Sequence, residues 1–250
     1  MIPSTFKDII PRYDADCLYD CQLPFSKKLA ENLEAIKQRT YINIRKLPSM
    51  IILDGGSGLG KTTLALVVAS YLEGRQVDMK QKGEGTARFL DAVDYCIKNR
   101  KKVVIYDEAG DFERKATQTK ANRAINRVFD VYRTYGIVVI VCLPFFGKLD
   151  EGPFDNGIPR LLLHLFEGND NYSTFKAYSL VGMLWIRHHL KMMTRKYPIK
   201  ARAYDRVDCN FFGRLKRPPD WFQKMIDKSS DAGKERELAA AMKKAKEAEL

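Results

Sequence analysis

At 250 residues, with 45% hydrophobic and 30% charged side chains, the chain has the make-up of one large folded domain with an appendage, which excludes a fibrous or wholly disordered protein. Forty-three Lys and Arg against 31 Asp and Glu leave a formal net charge of +12, which favours nucleic acid or an anionic membrane surface as a partner without choosing between them. The five cysteines lack paired C-x-x-C spacing, so neither a zinc site nor a disulfide framework is expected, and a reducing compartment fits best.

Residues 1–47 read as a lead-in with a helix from Ser26 to Arg39, capped by Ser26, that sets Leu29, Leu33 and Ile36 on one side. Pro48 precedes SMIILDGG, a short apolar run that reads as a buried parallel strand. KTTLALVVASYLEG then reads as a helix stopped at Gly74. Residues 75–85 are polar and glycine-containing and read as a loop or irregular insert. A helix follows over Thr86–Asn99, then the strand KKVVIYDE, and a third helix over 117–134 with Ala121, Ile125, Val128, Phe129 and Tyr132 inward. GIVVIVCLP is the next strand, and RLLLHLFEG and TFKAYSL read as two more, joined as a hairpin through 168–172. The core thus spans 48–182, followed by a basic, aromatic-bearing extension over 183–230 and a charged helical tail over 231–250. Cys96 and Cys142 read as small core residues.

The first residues lack a cationic start followed by an apolar run, so no signal peptide is expected, and no stretch reaches the ~18 apolar residues needed to cross a bilayer. The expectation is therefore a protein with no transmembrane segment of its own, in the cytoplasm of a cell or of a virus-infected host.

GGSGLGKT, from Gly55 to Thr62, matches G-x-x-x-x-G-K-[ST] between a strand and a helix, the context the motif requires. Glycines at this spacing let successive backbone N–H groups turn inward around phosphate oxygens, and the helix N-terminus adds its positive dipole end. Gly55, Gly56, Ser57, Gly58, Leu59, Gly60, Lys61, Thr62 and Thr63 are thus the nucleotide-binding (Walker A) residues, with Lys61 for the β and γ phosphates and the Thr62 hydroxyl for Mg²⁺. The expected ligands are ATP and Mg²⁺. The strand VVIYDE ends in two acids at the edge where open α/β sheets bind ligands. Asp107 reads as the Walker B group that holds magnesium and Glu108 as the base that polarises the attacking water. Together these features predict an α/β, three-layer P-loop NTPase fold with a mainly parallel central sheet and helices on both faces, plus the basic C-terminal extension.

From Ile51 to Phe166 the sequence resembles the HerA/FtsK group of DNA-pumping ATPases, which includes conjugative coupling proteins and has filamentous-phage assembly ATPases as relatives. The residues that carry the resemblance are DEAGDF, then NRAINRVFDVYR, then TYGIVVIVCLP, with Arg133 and Gly136 in matching places, and LDEGPFDNGIPRLLLHLF beyond. The resemblance implies an ATP-driven motor that translocates or packages DNA for virus, plasmid or cellular genome transfer. It also implies a homo-oligomeric ring, a hexamer in that family, in which an arginine completes a neighbour's site. Arg133 leads for that role, with Arg127 and Arg160 behind it. One departure stands out: where the family carries a polar γ-phosphate sensor, this chain has Cys142, Leu143 and Pro144.

Lys115, Lys120 and Arg123 read either as channel-facing phosphate contacts or as a solvated helix face. Between 187 and 217 ten Lys and Arg alternate with Tyr197, Tyr204, Phe211 and Phe212. That mixture suits single-stranded nucleic acid and equally a small subdomain with an aromatic core. His188 and His189 read as surface residues. The competing functions are a membrane-associated phage-assembly or morphogenesis ATPase and a replication-initiation or helicase-loading ATPase; a small-molecule kinase is disfavoured by the Asp107–Glu108 pair.

Overall fold

Ser49–Asp54 forms β1, buried at every position, as an apolar run without polar alternation requires when each face meets a packed layer. The computed structural model describes residues 23–42, 47–109, 135–168, 172–193, 202–216 and 218–228. The helix expected over 117–134 lies outside them.

The remaining strands are β2 Lys82–Glu84, β3 Val103–Asp107, β4 Val138–Leu143, β5 Pro159–Phe166, β6 Tyr172–Ser179 and β7 Phe211–Lys216. They join β1 in one seven-stranded sheet of order β2-β3-β4-β1-β5-β6-β7. The five strands from β2 to β5 in that order run parallel, and β6 and β7 add antiparallel pairs at one side. Asp54 stands opposite both Leu143 and His164, so the C-terminal ends of β1, β4 and the middle of β5 share one edge.

The α-helices of the described residues are α1 Lys27–Lys37, α2 Lys61–Glu73, α3 Gly85–Lys98, α4 Gly152–Asp155, α5 Leu180–Met193, α6 Arg202–Asp205 and α7 over 220–228. The strand period of two sorts the core into two layers. Ile51, Leu53, Val103, Ile105, Ile140 and Leu163 pack under α1, α2 and α7. Met50, Ile52, Val104, Tyr106, Val141 and Leu162 pack under α3, α5 and α6 on the other face. Each fully buried Leu, Ile or Val contributes about 1.5–3 kcal/mol, so this double-sided sheet is the main source of stability.

The stretch 183–230 supplies part of both layers. Phe211, Leu215, Phe222 and Ile226 join the first core, and Met183, Ile186, Ala203 and Tyr204 the second. Two local expectations need correction. Ser26 does stand at the N-cap of α1, but its hydroxyl makes no capping bond; its backbone carbonyl takes the N–H groups of Leu29 and Ala30 instead. Residues 75–85 are not all loop: a 3₁₀ turn at Met79–Gln81 leads into β2, a strand made by backbone pairing to β3 with no apolar pattern to announce it.

Candidate nucleotide site

The loop between β1 and α2 is shaped by its glycines. Gly55 has φ +142° and Gly60 φ +81°, conformations that side chains rarely adopt. A Cβ on Gly55 would lie 2.5 Å from the Leu165 carbonyl oxygen, and one on Gly60 would strike the Ser173 hydroxyl. The loop is therefore seated directly on the β5–β6 pair, while Gly56, Ser57 and Gly58 stay exposed at its crest.

Helix α2 begins at Lys61, so the first turn presents unpaired backbone N–H groups and its dipole end to the loop. The Lys61 ammonium donates to the carbonyls of Gly55 at 2.8 Å and Gly56 at 2.6 Å, lying across the loop. The Thr62 hydroxyl donates to Asp107 Oδ2 at 3.0 Å and is 3.3 Å from Oδ1, a bond between residues 45 apart in sequence. Thr63, next along the helix, is buried. A hydroxyl and a carboxylate side by side are hard oxygen donors of the kind Mg²⁺ takes, and a lysine with helix-end amides beside them suits phosphate. The donor set thus fits a magnesium–nucleotide complex.

Asp107 is 4% exposed and accepts more than Thr62. Lys82 on β2 places its ammonium 2.9 Å from Asp107 Oδ2, and the Glu108 backbone N–H reaches Oδ1 at 3.1 Å. Burial acts to lower the Lys82 pKa, but the Asp107 charge and the hydrogen bonds the ammonium donates to Glu84 and Asp107 outweigh it, and the net displacement is upward. Glu108 follows with φ +51°, a left-handed backbone uncommon for a residue with a side chain, and is exposed at the strand's end. Cys142, where a polar sensor is expected, is buried on the same face as Asp107. Burial first, and the Asp107 charge second, hold its thiol well above the usual range, so it remains neutral.

Behind the loop lies an arrangement that joins residues far apart in the sequence. Asp54, fully buried at the end of β1, accepts from the Phe146 backbone N–H at 3.0 Å, sits 2.9 Å from His164 Nδ1 and accepts from the Tyr204 hydroxyl. The His164 and Tyr204 rings stack at 3.7 Å and 11°. A charged residue closing an otherwise apolar strand was the one sequence signal that such partners must exist. Lys82 gave no such signal.

The arginines separate. Arg127 and Arg133, like Lys115, Lys120 and Arg123, lie outside the described residues. Arg160 stands near the start of β5 and donates to the Gly157 carbonyl at 2.5 Å, at the sheet edge away from the phosphate loop of its own chain. The basic stretch divides as well. Arg187 is buried, with its guanidinium 4.3 Å from the Phe154 ring centroid and donating to the Leu149 carbonyl, a packing role. Phe211 and Tyr204 are core, whereas Phe212 is 62% exposed. His188 and His189 lie beside Trp185, and no cluster able to hold a metal occurs among the described His, Cys, Asp and Glu residues.

The loop, the sheet order and the helices on both faces make this a P-loop NTPase fold. No protein-family model and no curated protein matches the chain in sequence. Solved structures resemble it at low identity: C. elegans PCH-2 (17% identical over 71% of this chain and 49% of that one, TM-score 0.42), and the N-terminal domain of zonular occludens toxin from Neisseria meningitidis (16%, 65% and 100%, TM-score 0.36). Domain III of the replication initiation protein DnaA from Thermotoga maritima is a third (14%, 64% and 70%, TM-score 0.37). Among the described residues no helix is long and apolar enough to cross a membrane.

Proposed function

We propose that the protein is an ATPase that binds ATP with Mg²⁺ through residues 55–63 and hydrolyses it, and that it serves as a motor that moves or packages DNA. The observation that carries the ATPase reading is the meeting of Thr62 and Asp107 at 3.0 Å, one residue from Lys61 and one from Glu108. In this reading Lys61 leaves the Gly55 and Gly56 carbonyls for the β and γ phosphates, a short swing for a four-carbon stem. Thr62 and Asp107 would hold the magnesium ion, whose chemistry is to neutralise phosphate charge. Glu108 orients the attacking water and takes its proton. Cys142 contributes no charge and no strong donor, so sensing of the γ phosphate falls to another group, while Arg133 of a neighbouring subunit is the leading candidate to stabilise charge on the transferring phosphoryl group.

The DNA-motor reading draws on the HerA/FtsK resemblance and on the +12 charge. The ring is part of the same reading, with 48–182 as its ATPase core. One observation favours a second reading, an assembly ATPase at a membrane. Val181, Leu184, Trp185 and Met192 are 48–63% exposed at helical spacing along α5. An apolar stripe bearing Trp is a feature of helices that lie on bilayers.

ATP turnover measured with and without single- and double-stranded DNA separates the two. The motor reading expects turnover that rises with DNA and disappears in Lys61→Ala and Glu108→Gln. Turnover indifferent to DNA but raised by anionic vesicles would replace it with the membrane reading.

A further inference from the structure

The Lys82 side chain is 3% exposed and its ammonium touches two carboxylates at once: Asp107 at 2.9 Å and Glu84 at 2.5 Å. Glu84 is in turn 3.5 Å from Arg88, whose side chain is 39% exposed, so a chain of alternating charges runs from Asp107 to the surface. All of it beyond Asp107 is built on β2 and the start of α3, at the sheet's edge, outside the phosphate loop.

A cation bonded to Asp107 opposes the approach of a second one, since like charges a few ångströms apart in a partly buried site repel strongly. A buried ammonium that lost its only counter-ion would also be costly. Glu84 removes that second difficulty, because the ammonium keeps a carboxylate at hydrogen-bond distance when Asp107 turns to another partner. We propose that Lys82 is a positioning residue that sets how tightly Asp107 takes Mg²⁺, and that Glu84 is the counter-anion that draws the ammonium away as Asp107 engages the metal. The inference rests on the reading of Asp107 as a magnesium-binding carboxylate.

The two residues pull in opposite directions, and a structural role for either would not. The test titrates Mg²⁺ against binding of a fluorescent, non-hydrolysable ATP analogue, with circular dichroism to confirm folding. Lys82→Met frees Asp107 and is expected to lower the half-saturating Mg²⁺ concentration about threefold or more. Glu84→Gln leaves the ammonium with Asp107 alone and is expected to raise it by a similar factor, while Lys82→Arg stays near wild type. If Lys82→Met does not fold, the rise in Glu84→Gln still decides the matter. Shifts of the same sign in both variants, or no shift in either while the wild type does need Mg²⁺, overturn the proposal and leave the nucleotide site standing. A wild type that binds the analogue equally well with Mg²⁺ and with EDTA overturns the metal reading of Asp107 and this inference with it.

Discussion

Asp107 and Asp54 close neighbouring parts of the same sheet edge, yet they face opposite layers and live in different company. Asp107 points toward α2, where its partners are an alcohol and an ammonium that each have somewhere else to go: Thr62 at the start of a helix, Lys82 with Glu84. Asp54 points toward α6 and is held by a backbone N–H, a half-buried histidine stacked on a tyrosine, and that buried tyrosine's hydroxyl. The first carboxylate is arranged to exchange partners and the second to keep them. One side of the loop can trade its bonds because the other side is fixed: β5, with Leu165 against Gly55, is anchored to β1 through the His164–Asp54 contact.

That contrast breaks most visibly through Glu108, the residue beside Asp107. Glu108→Gln should lower ATP turnover by about 10²–10⁴-fold with little change in nucleotide affinity, read by steady-state hydrolysis against analogue binding. Unchanged turnover would mean that this face of the edge is not hydrolytic.

Next comes Asp54→Ala, which strands the buried Phe146 N–H and Tyr204 hydroxyl and takes the partner from a half-buried His164, and should cost about 3–5 kcal/mol in denaturant unfolding. Asp107→Ala should cost about half of that or less, since Lys82 keeps Glu84. Equal losses would erase the distinction between an exchangeable and a fixed carboxylate.

Tyr204→Phe sharpens the same point at about 1–3 kcal/mol. Burial, then the Asp54 charge, raises the Tyr204 pKa well above the usual tyrosine range. The folded state therefore holds the phenol proton more tightly than the unfolded chain. That contribution is complete below about pH 10 and is lost as pH climbs through the folded value. Wild-type stability should accordingly fall above about pH 10, and Tyr204→Phe should soften that fall, measured as melting temperature against pH.

The smallest effect is expected at the loop crest. Gly58 has φ +78°, but a Cβ placed there would meet nothing within 4 Å. Gly58→Ala should therefore cost only about 1 kcal/mol of backbone strain, read by denaturant unfolding, with Gly55→Ala far worse because of Leu165.

What the sequence disclosed follows from distance along the chain. The P-loop turn between β1 and α2 was legible because strand, glycines, Lys61 and Thr62 are contiguous, and the parallel strands other than β2 because their unbroken apolar runs have no other use. The β5–β6 hairpin was legible for the same local reason. Lys82 was not, because its partner Asp107 lies across a strand pairing that the three residues of β2 do not advertise. In the sequence Tyr204 is one of several aromatics interleaved with basic charge, and only the packing of α6 under the sheet brings it to Asp54, 150 residues away. The sequence also offered no way to separate Arg187, sealed against Phe154, from the exposed cations around it.

Everything proposed for the site depends on residues 55–62 and Asp107 holding a magnesium–nucleotide complex. Titration of the purified protein with a fluorescent ATP analogue, in Mg²⁺ and in EDTA, for wild type and Lys61→Ala, tests this without intermediate steps. The wild type should bind tightly in Mg²⁺, and binding should weaken by about tenfold or more in EDTA and in Lys61→Ala, as expected for the loss of a charged phosphate contact. Equal affinity in all conditions, or no binding by the wild type, would refute it.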